Sequence, residues 1–186
     1  MMRKRRLKLV LMTAICAAGI LAGCGSAAKD GTDALEAGDY EQAVTLFQEA
    51  ASSDDRDKAA QGYRGLGMAY YETEDYEAAL SAFQSALDNG TEQTTQLYNL
   101  MGVCAMQTED YADALSYIQS GLALADSQEG EDAPDASLIQ EMKYNEIICC
   151  ERQGDWDTAK EKVAEYLADY PDDETAQKEA DFLETR

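Results

Sequence analysis

Four stretches of this 186-residue chain are copies of one another, and that self-similarity constrains the fold more than any other feature. Asp39-Tyr40-Glu41-Gln42-Ala43-Val44-Thr45-Leu46-Phe47-Gln48-Glu49-Ala50 aligns with Asp75-Tyr76-Glu77-Ala78-Ala79-Leu80-Ser81-Ala82-Phe83-Gln84-Ser85-Ala86. A third copy opens at Asp110-Tyr111 and runs through Ala114, Ile118 and Gly121. A fourth opens at Asp155-Trp156 and runs through Ala159, Val163 and Tyr166. Measured from alanine to alanine, the copies lie 36, 35 and 45 residues apart. A period in this range means supersecondary units that bury their apolar faces by stacking on one another. Apolar residues at helical spacing and only two prolines make the units helical. Each copy opens on an aspartate able to cap exposed amides, and Gln42 is placed for a reciprocal capping box with Asp39. Ala43, Ala79, Ala114 and Ala159 are small where helices must approach. Phe47, Phe83, Ile118 and Val163 fill the space one turn on.

Each copy is preceded by a second helical segment. Before the second lies Tyr63-Arg64-Gly65-Leu66-Gly67-Met68-Ala69-Tyr70-Tyr71, before the third Tyr98-Asn99-Leu100-Met101-Gly102-Val103-Cys104-Ala105-Met106. Gly67 and Gly102 each cost about 1 kcal/mol of helix propensity against alanine, which a helix tolerates where a neighbour comes close. Tyr63, Leu66-Gly67, Tyr70, Ala79, Phe83 and Ala86 together resemble the tetratricopeptide repeat. The third copy keeps Tyr98, Met101-Gly102, Ala114 and Gly121. The fourth keeps Ala159 and Pro171 but carries Glu146-Ile147 in place of Leu-Gly, and the first lacks an aromatic in its leading helix. The resemblance implies an all-α fold, a right-handed superhelical stack of about four helix-turn-helix repeats with degenerate ends. Its boundaries are 29–57, 60–93, 95–128 and 138–171 within a domain 29–186. An acidic insert at 126–135 precedes the last repeat, and residues 173–186 form a capping helix with Ala176, Ala180 and Leu183 on one face, as a stacked array needs.

The first 24 residues carry a different message. Arg3, Lys4, Arg5, Arg6 and Lys8 precede a short apolar run, Leu9 to Ile20, the layout of a signal peptide and too short for a membrane span. The run ends in Leu21-Ala22-Gly23-Cys24, which resembles the lipobox of bacterial prolipoproteins. The resemblance implies cleavage of a leader 1–23, a diacylglyceryl thioether on Cys24 and acylation of the new N-terminus. Two or more chains anchor stably where one binds only marginally. The body is then expected on the extracytoplasmic face of the cell membrane, or on the outer membrane of a two-membrane cell, since Gly25 follows the cysteine. Residues 24–28 form the tether, whose four residues after Cys24 span at most about 14 Å.

Charge and side-chain inventory exclude whole classes of function. The leader takes five of the 15 basic residues and none of the 37 acidic ones, leaving the body 27 charges negative. Such a body repels phosphate backbones, so nucleic acid is excluded as a partner; the acidity either favours basic protein segments or simply keeps the body soluble and off the membrane. With no histidine, the commonest general base and metal ligand are missing. Together with the lack of a glycine-rich phosphate loop, this argues against an enzyme, a small-molecule substrate or any cofactor beyond the lipid. The acids at 126–135 do not alternate as a calcium loop requires. Cys104, Cys149 and Cys150 fall in apolar helical stretches and read as buried thiols. One disulfide between Cys104 and either Cys149 or Cys150 stays open, as does a thiol-active site.

Carried over by position, the repeat resemblance implies a concave groove, lined by the leading helices, that accepts a segment of another protein or peptide. The groove would show Arg64, Met68, Tyr71, Asn99, Val103, Met106, Tyr144, Ile148 and Arg152. Val103 and Ile148 stand where a side chain either lines the groove or packs between neighbouring helices. Family members that clamp a terminal carboxylate use asparagine where Met68 stands, so that clamp is not expected. The function implied is a membrane-anchored scaffold or adaptor within an envelope complex. The alternative is a chaperone-like binder of exported or basic peptides.

Overall fold

The computed structural model describes residues 27–128 and 133–186. The expected leader and Cys24 lie outside them, as do four residues of the acidic insert. Among the described residues there are nine helices and no strand: α1 (Ala27–Glu36), α2 (Tyr40–Ala51), α3 (Arg56–Glu72), α4 (Tyr76–Asp88), α5 (Thr95–Gln107), α6 (Tyr111–Ala125), α7 (Ala136–Gln153), α8 (Trp156–Asp169) and α9 (Glu174–Leu183). Consecutive helices pack as hairpins, α1 on α2, α3 on α4, α5 on α6 and α7 on α8. Contacts of α1 with α3 and of α5 with α7 align the leading helices along one face. The expected four-repeat superhelix with a terminal helix is the observed architecture.

All four hairpins close with the same turn. The amides of Asp39, Asp75, Asp110 and Asp155 each donate to a carbonyl five residues back, those of Ala34, Tyr70, Ala105 and Cys150, at 2.9–3.0 Å. This bond requires a left-handed residue just before the aspartate, filled by Gly38, Glu74, Glu109 and Gly154 at φ 77, 60, 64 and 79°. The two glutamates hold a conformation that glycine adopts without strain. Each aspartate then caps the following helix, its Oδ1 accepting from the amides of Gln42, Ala78, Asp113 and Thr158 at 3.2–3.3 Å. The reciprocal half of the capping box anticipated at Gln42 does not form, because the Asp39 amide is already committed to the Ala34 carbonyl.

The core runs as four clusters along the array. Ala43, Ala79, Ala114 and Ala159 have no exposed surface, and Phe47, Phe83, Ile118 and Val163 are buried beside them. A Cβ on Gly67 would overlap the Phe83 ring, and one on Gly102 would stand 2.8 Å from Ile118. Closest of all is Gly62, where a Cβ would collide with the Ala51 backbone. The first helix starts at Ala27, inside the stretch assigned to the tether; alanine favours helix, and Ala28 is buried. The described part of α1 thus begins three positions after Cys24. The last helix carries Ala176 and Leu183 inward, as expected of a cap, and packs chiefly on α8. No helix among the described residues is long and apolar enough to cross a membrane.

Candidate binding groove

The leading helices α3, α5 and α7 place the nine anticipated groove residues unevenly. Arg64 and Arg152 are exposed, and Met68, Tyr71, Met106, Tyr144 and Ile148 are half-buried. Asn99 and Val103 are only 5% exposed, so neither offers a free side chain. Both face the seam between α5 and α7, where Asn99 donates from Nδ2 to Glu141 Oε1 at 3.3 Å. Met68 and Tyr71 pack over the cluster of Phe83, Leu97, Met101 and Cys104, and Tyr71 meets Tyr76 edge to face at 5.9 Å.

Four of the nine converge. Val103, Met106, Ile148 and Arg152 line one cavity of about 170 Å³ between α5 and α7, together with Gln107, Glu109, Tyr111 and Asn145. Val103 supplies part of its apolar wall despite its burial. Arg152 lies over the Tyr111 ring, 5.9 Å from the centroid, a contact worth about 0.5–1 kcal/mol at an exposed site, so the guanidinium is held at the rim. Arg64, Met68, Tyr71, Asn99 and Tyr144 lie outside this cavity. Helical spacing alone finds Asn145 and Gln107, each adjacent to a predicted position. Tyr111 and Glu109 come from the closing turn and the next helix, which the repeat pattern does not assign to the groove.

A tetratricopeptide repeat profile matches residues 29–94 and again 65–129. The chain belongs to the tetratricopeptide repeat family. Solved structures of similar fold include YrrB, described as a tetratricopeptide protein with an unusual peptide-binding site. It is 22% identical with a TM-score of 0.69, over 84% of this chain and 74% of that one. A MamA fragment from Desulfovibrio magneticus RS-1 is 17% identical with a TM-score of 0.68, over 88% and 87%. The N-terminal domain of stress-induced protein-1 from C. elegans is 20% identical with a TM-score of 0.56, over 71% and 99%. The search of curated proteins gave no match. Tetratricopeptide arrays are in general non-enzymatic scaffolds that bind proteins or peptides.

The fourth tetratricopeptide repeat departs from the pattern at Glu146, and the structure shows why this is tolerated. The Glu146 side chain is buried but accepts from Gln119 Nε2 at 3.0 Å and pairs with Lys162 Nζ at 3.6 Å. Removing one partner of such a buried pair is costly, whereas the intact pair contributes little net stability. It lines a recess of about 360 Å³ on the opposite side of α7, between α6 and α8, where the longer link separates the third and fourth repeats.

The three body cysteines are free and buried, which removes the open disulfide. Burial pushes the Cys104 and Cys149 thiols up to about 12 and Cys150 up to about 11. Thiolate is the reactive form, so none should react with maleimide in native protein at pH 8, and all three should react after unfolding. Mass spectrometry of the two samples reads the difference. A native adduct at any of the three would revive a thiol-active site.

Proposed function

We propose that this tetratricopeptide array is a membrane-anchored, extracytoplasmic scaffold that docks a segment of another protein in its concave groove. The cavity between α5 and α7 carries the reading. It is a recess with an apolar wall of Val103, Met106 and Ile148 and a polar rim that includes Gln107, Glu109, Asn145 and Arg152, placed on the face of the leading helices and large enough for one apolar side chain. Methionine lets such a surface adapt to its occupant. The strong negative charge of the body favours a partner whose docking residue is flanked by lysine or arginine. The lipobox-like Leu21-Ala22-Gly23-Cys24 supports anchoring, and the closeness of Cys24 to α1 in sequence would keep the array near the bilayer, suiting a partner in or near the membrane.

The test is cross-linking in intact cells, followed by detergent purification and mass spectrometry. Wild type is compared with a Met106→Glu/Ile148→Glu variant whose helicity is verified by circular dichroism. Both side chains are half-buried and line the cavity, so loss of a docking residue's pocket should cost about 2 kcal/mol or more, about a thirtyfold loss of capture. One or two envelope proteins lost from the variant support the scaffold. An unchanged list removes the groove from the function. A diffuse list of basic exported chains replaces the scaffold by a chaperone-like binder.

A further inference from the structure

We infer that the rings of Trp156 and Phe182 form a seat for a guanidinium, filled in this structure by the chain's own Arg186, and that an arginine side chain of a second protein takes the same seat. Trp156 opens α8, and Phe182 lies in the last turn of α9. Arg186 Cζ lies over both rings, 5.3 Å from the Trp156 centroid and 4.7 Å from that of Phe182. A guanidinium within about 6 Å of an aromatic face is drawn to the ring's negative face, and its flat shape stacks there as an ammonium cannot. Acids outnumber bases 37 to 15 in the chain, yet Arg186 makes no ion pair among the described residues. Its side chain rests on the two rings and not on a carboxylate.

The two rings are anchored differently. Trp156 is half-buried against the cluster of Ile147, Cys150, Ala159, Val163 and Tyr166. Phe182 is 40% exposed, the one large hydrophobic side chain so exposed among the described residues. The repeat pattern points to the same chemistry. Trp156 follows the capping Asp155 as Tyr111 follows Asp110, and Tyr111 also carries a guanidinium, that of Arg152 at 5.9 Å. This ring position therefore receives an arginine in two successive repeats. The suppliers differ. Arg152 is built into α7, whereas Arg186 stands three residues past the last residue of α9 and is exposed.

That difference makes the seat exchangeable. A cation over exposed rings is held weakly, and residues past the end of a helix open locally at little cost. Arg186 therefore leaves easily, and an arginine brought in on a segment with further contacts of its own replaces it. The strongly acidic body draws basic segments from a distance, and the rings then choose arginine over lysine. The seat lies on α8 and α9 and shares no residue with the cavity between α5 and α7. It is a second contact surface, independent of whatever the groove holds.

Trp156 is the only tryptophan in the sequence, so its emission reports the seat directly. The full chain in detergent, at physiological ionic strength, is titrated with capped peptides Lys-Gly-Xaa-Gly-Lys in which Xaa is arginine, lysine or citrulline. The arginine peptide should change Trp156 emission at a several-fold lower concentration than the other two. Arg186→Ala should tighten the arginine peptide about threefold by removing the competitor, and Phe182→Ala should weaken it about as much and erase its preference over lysine. Circular dichroism verifies that both variants stay folded. Equal responses to arginine and lysine in wild type overturn the seat, leaving charge attraction alone. A silent Trp156 with all three peptides overturns it, as does an arginine preference that survives in Phe182→Ala. An unchanged affinity in Arg186→Ala overturns the exchange with Arg186. The Met106→Glu/Ile148→Glu variant should bind the arginine peptide as wild type does, so the groove and the seat fail separately.

Discussion

Replacing Cys24 with serine is expected to abolish fatty-acid labelling of the protein completely. Serine lacks the sulfur that forms the thioether, and the leader would no longer be removed before residue 24. The proposed anchor is the acyl group itself. Each buried methylene contributes about 0.8 kcal/mol of membrane affinity, and two or three chains together give stable attachment. Cells fed a clickable fatty acid should therefore show a labelled band for wild type and none for Cys24→Ser. Intact mass should place the wild-type N-terminus at Cys24 with its lipid, and should show the variant retaining Met1 to Gly23. Equal labelling of both proteins, or an unlabelled wild type cut elsewhere, would remove the anchor and with it the membrane-proximal placement of the groove.

Phe83→Ala is expected to be the most destabilising single truncation in the array, at about 3–5 kcal/mol. Phe83 has no exposed surface. Its ring sits over Gly67 so closely that no side chain could stand there, and it joins Ala79 to Leu97, Met101 and Cys104. The ring thus belongs both to the second hairpin and to its junction with the third. Stability in a stacked array is a sum of repeat terms and neighbour terms, and this truncation lowers one of each. The thermal midpoint should fall by roughly 10 °C for a body of this size. Phe182→Ala provides the contrast: that ring is 40% exposed, and its loss should change stability by less than about 0.5 kcal/mol. A Phe83→Ala midpoint within 2 °C or so of wild type would mean that the central cluster closes over the gap.

The hairpins were legible in the sequence because each copy carries its own packing set. Ala79, Phe83 and Gly67 each name a close approach whose partner lies within the same repeat. The groove was legible in position but not in exposure. Val103 and Asn99 fall on the predicted face, yet the approach of α5 to α7 covers both, and that spacing is set by pairs of side chains no single repeat contains. Glu146 looked like a lapse from the pattern because its partners, Gln119 and Lys162, come from two different hairpins. Gly62 gave no signal, since the repeat pattern asks for no glycine there and the clash is with backbone.

The shared closing turn has a consequence for how such a protein can change length. The same backbone bond and a left-handed glycine or glutamate end the leading helix in every hairpin, so each hairpin closes through the same turn. The links between hairpins, Ser52–Asp55, Asn89–Thr94 and Asp126–Asp135, differ in length and composition. Shape is therefore written in the joints and not in the modules. A hairpin duplicated or deleted whole would carry its own closing turn with it, shifting the groove by one step while leaving the turn of each surviving module as it was.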